Sequence, residues 1–318
     1  MNRCFRIALA LWAAACATDA LAQYPNRPVR IVVGFAPGGA PDLSARIFAQ
    51  KLTMVLGHPF VVENRTGSAG NIAADQVSSA PPDGHTLLLG ADSQLAINPH
   101  LYPKMTDPLK ALAPVASLVS NQFYLAVHPG LPVTNFPEFI DHARKANPPL
   151  AYGSAGNGSQ GHLSMEMLKK RASIDLLHVP YRGAGQAIVG AIAGEVQVIM
   201  SGSATAPQIK SGKVRGLAVT TPQRLAEFPD LPAIAEFYPG YEVVIWLGLF
   251  TAAGTPEPVI LRLREAVNQI LADPDTVAKL QGPGMQPYAT SPEAFLALIR
   301  SDHEKYRKLV KEIGIKIE

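Results

Sequence analysis

Cysteine is almost missing from this chain: among 318 residues only Cys4 and Cys16 carry thiols. Both lie in a stretch that reads as a removable export segment, so the rest of the chain can form neither a disulfide framework nor a thiolate metal site. Charge is sparse as well, at 17% of residues with a formal balance of +3. If Arg3, Arg6 and Asp19 leave with that segment, Lys+Arg falls from 28 to 26 and Asp+Glu from 25 to 24, a balance of +2. No run of five like charges occurs, and the densest basic stretch, Lys305 to Lys311, is bounded by Glu304 and Glu312 as on a solvated helix face. Nothing here offers nucleic acid an electrostatic footprint. The eight histidines are scattered, and neither H-E-x-x-H nor a D-x-D-x-D loop is found, so the sequence announces no metal centre and no cofactor. Trp12 also falls in the export segment, which leaves Trp246 as the single tryptophan of the mature chain.

What is there begins with that segment. Arg3 and Arg6 precede the apolar run from Ile7 to Ala17, and Ala20-Leu21-Ala22 supplies an A-x-A cleavage site. The run is shorter than the roughly 20 residues a membrane-spanning helix needs. Residues 1–22 therefore read as a signal peptide, with the mature, secreted protein starting near Gln23. Lipid attachment at Cys16 is the competing reading, and the alanine three places before it matches a lipobox poorly.

Through the mature chain short β-rich runs alternate with helical ones: Val29–Phe35, Asp42–Leu56, Phe60–Asn64, Ile72–Ser78 and His85–Leu89. This rhythm predicts an α/β fold with mainly parallel sheets flanked by helices. In the first helical segment Leu43, Ile47, Leu52 and Leu56 fall near helical spacing, with Arg46, Gln50 and Lys51 toward solvent and Gly57 as the left-handed closing residue. A second alternating series starts after Leu118–His128, and two long helical patterns, Pro256–Leu271 and Pro292–Ile313, finish the chain. The expected organisation is two lobes joined by two crossings, with 23–120 plus 246–318 forming lobe 1 and 121–245 forming lobe 2.

Two Gly-rich turns stand between a strand and a helix. The first, Val33-Gly34-Phe35-Ala36-Pro37-Gly38-Gly39-Ala40-Pro41-Asp42, has the glycine spacing of a P-loop, yet Ala40 and Pro41 occupy the positions of its lysine and hydroxyl residue. What remains is a pair of glycines whose N–H groups allow close approach, followed by a helix N-terminus that favours an anion. The second, Gly153 to His162, offers Ser154, Asn157 and Ser159 as neutral donors. One loop per lobe, each at the carboxyl end of a strand, would face the other across a ligand cleft. Ser201-Gly202-Ser203 follows another strand and is expected on the same rim. Asp42, Glu63 and Asp83 read as caps or ties of their turns. The run Asn157-Gly158-Ser159-Gln160-Gly161 approaches the G-x-S-x-G nucleophile elbow but has Asn157 at its first glycine, and nothing in the sequence fixes His162, His178 or Asp175 around Ser159.

Read together and in order, Gly38-Gly39-x-x-Asp42-x-x-Ala45-Arg46, Glu63-Asn64-Arg65-x-Gly67-x-x-Gly70, Pro82-Asp83-Gly84-His85-Thr86, His178-Val179-Pro180-Tyr181-Arg182-Gly183 and Gly254-Thr255-Pro256 resemble the Bug-type extracytoplasmic solute receptors of tripartite tricarboxylate transporters. The resemblance runs from Tyr24 to the C-terminal helix. It implies a two-lobed periplasmic binding protein of the Venus-flytrap kind, without enzymatic activity, cofactor or metal. It also implies a carboxylate held by the Phe35–Ala40 loop, with Phe35, Ala36, Gly38, Gly39 and Ala40, and by the Ser154–Ser159 loop, with Ser154, Asn157 and Ser159. Ser201, Ser203 and Trp246 are expected as further lining. Family members often carry Asp after Phe where this chain has Ser201-Gly202-Ser203. The implied partners are a small mono- or dicarboxylate, an aromatic or branched one if Phe35 and Trp246 supply apolar walls, and the membrane permease subunits, the receptor acting as a monomer. A carboxylate sensor presenting its ligand to a membrane signalling protein is the alternative, and a secreted serine hydrolase a third.

Overall fold

The computed structural model describes residues 24–102, 104–282 and 284–314; the signal peptide expected at 1–22, with Cys16, lies outside the described residues. The strands are β1 (Val29–Val33), β2 (Phe60–Asn64), β3 (Thr86–Ala91), β4 (Leu112–Gln122), β5 (Tyr124–Val127), β6 (Leu150–Ser154), β7 (Leu176–Pro180), β8 (Val198–Ser201), β9 (Arg215–Val219), β10 (Val244–Ala252) and β11 (Gln286–Pro287). The longer helices are α1 (Ala40–Leu56), α2 (Asn71–Ser78), α3 (Phe136–Lys145), α4 (Gln160–Ala172), α5 (Ala184–Ala193), α6 (Glu257–Leu271), α7 (Pro274–Gln281) and α8 (Pro292–Ile313). One sheet has the order β11-β4-β10-β3-β1-β2 and the other β7-β6-β8-β5-β9. β1 is parallel to both β2 and β3. Paired on both sides, its VRIVV sequence is buried at every position but Arg30, as an interior parallel strand requires. The second sheet is mixed: β6 runs parallel to β7 and β8, while β5 is antiparallel to β8 and β9.

Contacts divide the chain into two compact units, one through Gly90 with Thr106–Ala116 and Gly248–Thr276, the other of Ala91–Met105, Ser117–Leu247 and Val277 onward. The expected division kept all of 246–318 in lobe 1, whereas α8 clusters with the second unit. The reason is packing: Tyr306, Leu309 and Val310 share a core with Leu163, Leu168 and Met200.

Helix α1 starts where Pro41 enforces a first-turn geometry and stops at Gly57, whose φ of 74° lets its N–H reach the Thr53 carbonyl. Its buried face is Ala45, Phe48, Ala49, Leu52 and Leu56, not the stripe through Leu43, which is exposed. Lys51, expected in solvent, has a side chain only 14% exposed because Asp273 and Asp275 hold its ammonium at 2.5 and 2.6 Å. Helix α4 lies so close to β8 that a Cβ at Gly161 would stand 2.4 Å from the Met200 carbonyl.

Candidate functional site

The first Gly-rich loop leaves β1 and enters α1. Ala36, Gly38 and Gly39 are exposed, and Phe35 and Ala40 half-buried. Asp42 organises the turn from inside the helix. It is 1% exposed and accepts the Gly38 N–H at 2.9 Å, Arg46 Nε at 3.0 Å and Asn64 Nδ2 at 2.9 Å. Asn64 also donates to the Phe35 carbonyl at 3.1 Å, so one side chain ties the end of β2 to the loop that leaves β1 and to the first turn of α1. Burial pushes the Asp42 carboxyl up, but the hydrogen bonds from Arg46, Gly38 and Asn64 outweigh it and hold its pKa below the usual carboxylate range. Gly38, expected to donate to a ligand, therefore spends its N–H on the loop itself. Among the described residues no acceptor takes the N–H of Gly39 or Ala40. These are orphan donors at the positive end of a 17-residue helix.

The second loop leaves β6 and enters α4. Ser154, expected as a ligand donor, is 1% exposed, and its hydroxyl is occupied by the Gly156 carbonyl (3.1 Å), the Gly156 N–H (3.2 Å) and His178 Nε2 (2.7 Å). Its role is to hold the loop. Asn157 is exposed at the apex, and Ser159 is half-buried as the N-cap of α4, accepting the His162 N–H at 3.4 Å. Gly158 donates to His162 Nδ1 at 3.0 Å and Ser159 to the Gly156 carbonyl at 3.1 Å. No acceptor among the described residues takes the N–H of Asn157.

Ser201 and Ser203 are 4% and 6% exposed, with the Ser203 N–H on Asn121 Oδ1 at 3.1 Å. Trp246, expected as lining, is core: it is 1% exposed, donates Nε1–H to Asp302 Oδ2 at 2.8 Å and meets Phe295 edge-on at 5.3 Å. Sequence reasoning missed the polar cluster beneath the start of α4. Asp92, which ends β3's run and accepts the Ser93 N–H at 2.8 Å, is bonded to Gln160 Nε2, which also reaches Tyr306 OH at 3.0 Å. Burial, with Asp302 nearby, raises the Asp92 carboxyl well above the usual range. A separate cavity of about 430 Å³ opens beside Arg27, Arg30, Asp83 and His85, but its cations are already engaged by Asp83, Glu63 and Thr86.

Hydrolytic parts are not assembled. Among the described residues Ser159 meets no imidazole nitrogen, Asp175 is an exposed partner of Lys169 at 3.7 Å, and the hydroxyl that does meet one, the buried Ser154 beside the half-buried His178, is already held by the Gly156 backbone. No cluster of three His, Cys, Asp or Glu able to hold a metal occurs among the described residues, and none of their helices is long and apolar enough to cross a membrane.

Residues 44–315 match the family model described as the tripartite tricarboxylate transporter family receptor. The chain belongs to that receptor family. Members bind a solute and carry out no catalysis, so this receptor is not an enzyme, and the family is one of the periplasm. The receptor is 36% identical over 310 residues to the UPF0065 protein of the tcbD-tcbE intergenic region of Pseudomonas sp. strain P51, covering 96% of this chain and 92% of the relative. It is 31% identical to BugT of Bordetella pertussis over 93% of this chain and 92% of that one. Among solved structures it is similar to R. palustris Rpa4515 with adipate (34% identity, TM-score 0.83, 92% and 99% of the two chains). It is also similar to MatC of Rhodopseudomonas palustris with bound malate (31%, 0.78, 90% and 100%) and to the periplasmic binding protein BugD (32%, 0.80, 93% and 100%). The fold is that of these periplasmic binding proteins.

Proposed function

We propose that this receptor binds a small mono- or dicarboxylate in the periplasm, acting as a monomer, and delivers it to the membrane permease of a tripartite tricarboxylate transporter. The observation that carries the reading is the set of unclaimed N–H donors at Gly39 and Ala40, with no basic side chain assigned to them. Backbone donors at a helix N-terminus stabilise a carboxylate without leaving a buried cation unpaired when the site is empty. Adipate and malate in related receptors support the ligand class.

The ligand groups we assign are the N–H of Gly39 and Ala40, the backbone and amide of Asn157, and the Ser159 hydroxyl. Ala36 and Phe35 form their surroundings, the Phe35 ring suiting an aromatic or branched carbon frame. Gly38 and Ser154 shape the loops, and Ser201 and Ser203 complete the assignment as lining at the end of β8. Five such bonds, at about 1.5–3 kcal/mol each and discounted for ordering, correspond to affinity on the order of micromolar.

Thermal unfolding of the mature protein with adipate, malate, succinate and benzoate at millimolar concentration tests the reading. A hundredfold excess over Kd stabilises by about 2.7 kcal/mol. If no carboxylate raises the melting temperature while the protein is folded, the receptor does not take this ligand class.

A further inference from the structure

The second loop is held at both ends by a histidine pair that no part of the binding reading uses. His162 in the first turn of α4 and His178 on β7 stack face to face, with ring centroids 3.8 Å apart and planes 9° from parallel. Tyr152 on β6 covers the pair, its ring 4.9 Å from His178. We propose that His162 and His178 are positioning residues for the 154–159 loop, fixing the glycines on either side of Asn157 and through them the donors offered to the carboxylate. This rests on the receptor reading above.

The bonds dictate the tautomers. A backbone amide can only donate, so the Gly158 N–H at 3.0 Å requires an unprotonated Nδ1 on His162 and places its proton on Nε2. The Ser154 hydroxyl has one proton and three partners. All three are satisfied only if it donates to the Gly156 carbonyl and accepts from the Gly156 N–H and from His178 Nε2–H. Each histidine thus grips one end of the loop, at Gly158 and at Ser154–Gly156. The glycines supply the turn, with φ of 124° at Gly156 and 72° at Gly158.

Around the stack stand Glu166 and Lys169 of α4, paired at 2.9 Å, with Tyr152 OH donating to Glu166 at 2.7 Å and Asp175 3.7 Å from Lys169. Burial lowers the His162 pKa and takes that of His178 down to about 4, His162 adding to the second shift. Two imidazoles stacked this closely repel if both are charged, and with both pKa values lowered the pair is neutral at physiological pH, the state in which both bonds form.

The test compares paired substitutions in the mature protein. His162→Leu and His178→Leu remove the grip, whereas His162→Asn and His178→Gln return a polar atom near Nδ1 and Nε2. We expect the leucine variants to speed hydrogen exchange at Gly156 and Gly158 in the ligand-free protein by about tenfold and to weaken adipate or malate binding by about fivefold or more, roughly one hydrogen bond. The Asn and Gln variants should lie near the wild type. Unchanged exchange in both leucine variants overturns the positioning role whatever the ligand result. A wild type that binds no carboxylate overturns the receptor reading and leaves the exchange comparison to decide this one. Should a leucine variant not fold, ¹⁵N spectra of the wild type decide, since protonated Nδ1 on His162 at neutral pH contradicts the proposal.

Discussion

The Gly38 N–H donates to the buried carboxylate of Asp42 at 2.9 Å, four residues on and already inside the helix. With Asn64 bridging Asp42 and the Phe35 carbonyl, the relationship joins two motifs that are 22 residues apart in sequence. The loop is preorganised by its own side chains, so ligand binding does not have to order it.

Asp42→Ala removes the acceptor of three donors at once. Leaving those partners unmatched costs about 1–3 kcal/mol, and the loosened Gly38–Ala40 backbone should weaken carboxylate binding by about tenfold. Denaturant titration and calorimetry measure the two effects. Because the Asp42 pKa is depressed in the fold, its contribution to stability is present above the unfolded carboxylate pKa and is lost as pH falls through the folded value. The variant should therefore lose less stability on acidification than the wild type.

The two adjacent glycines should behave differently. Gly38 has φ of 85° and a Cβ added there would meet nothing within 4 Å, so alanine is strained by backbone alone, at about 1–2 kcal/mol. Gly39 is extended at φ −79°, and an added Cβ meets only ordinary contacts at 3.7 Å. Gly39→Ala should leave the melting temperature unchanged yet lower carboxylate affinity several-fold, by placing a methyl beside the open donors. Equal affinity in Gly39→Ala and wild type would remove residue 39 from the site.

Asp92 is fully enclosed and its carboxyl favours the protonated form. A raised folded pKa contributes stability that is complete below the unfolded carboxylate pKa of about 3.9 and is lost as pH rises toward the folded value. Asp92→Asn keeps an acceptor for the Ser93 N–H and offers an amide to Gln160, whose Oε1 has no partner among the described residues. The variant should be more stable than wild type at pH 8 and differ less at pH 4. A wild-type advantage at pH 8 would mean that Asp92 is ionised and compensated.

Much of the frame was legible because it follows from short-range rules. β2 and α8 occupy the expected residues 60–64 and 292–313, and Gly57 closes α1 in the left-handed region. The Gly-rich turns were legible as loops, since strand and helix patterns flank them. What could not be read is which donors the fold itself consumes. Gly38 and Ser154 were expected to serve a ligand, but the Asp42 carboxylate and His178, the latter 24 residues from Ser154, claim them first. Asp92 gave no signal, because its partner Gln160 is 68 residues away and only the tertiary fold buries both. The apolar stripe of α1 was displaced because alanines, Ala45 and Ala49, supply much of its buried face.

Trp246 separates a lining role from a core role most directly. A tryptophan forming a pocket wall loses ligand affinity when trimmed, whereas one sealed in the core loses stability. In this fold the indole is 1% exposed and its N–H satisfies Asp302, itself 5% exposed, whose second oxygen is held by Lys305 at 2.6 Å. Trp246→Phe removes the donor and leaves a carboxylate oxygen buried without it, at about 1–3 kcal/mol plus the loss of packing on Phe295. The expected outcome is a clearly lower melting temperature with carboxylate affinity within about twofold of wild type. A large loss of affinity at unchanged stability would instead put the indole in contact with the ligand.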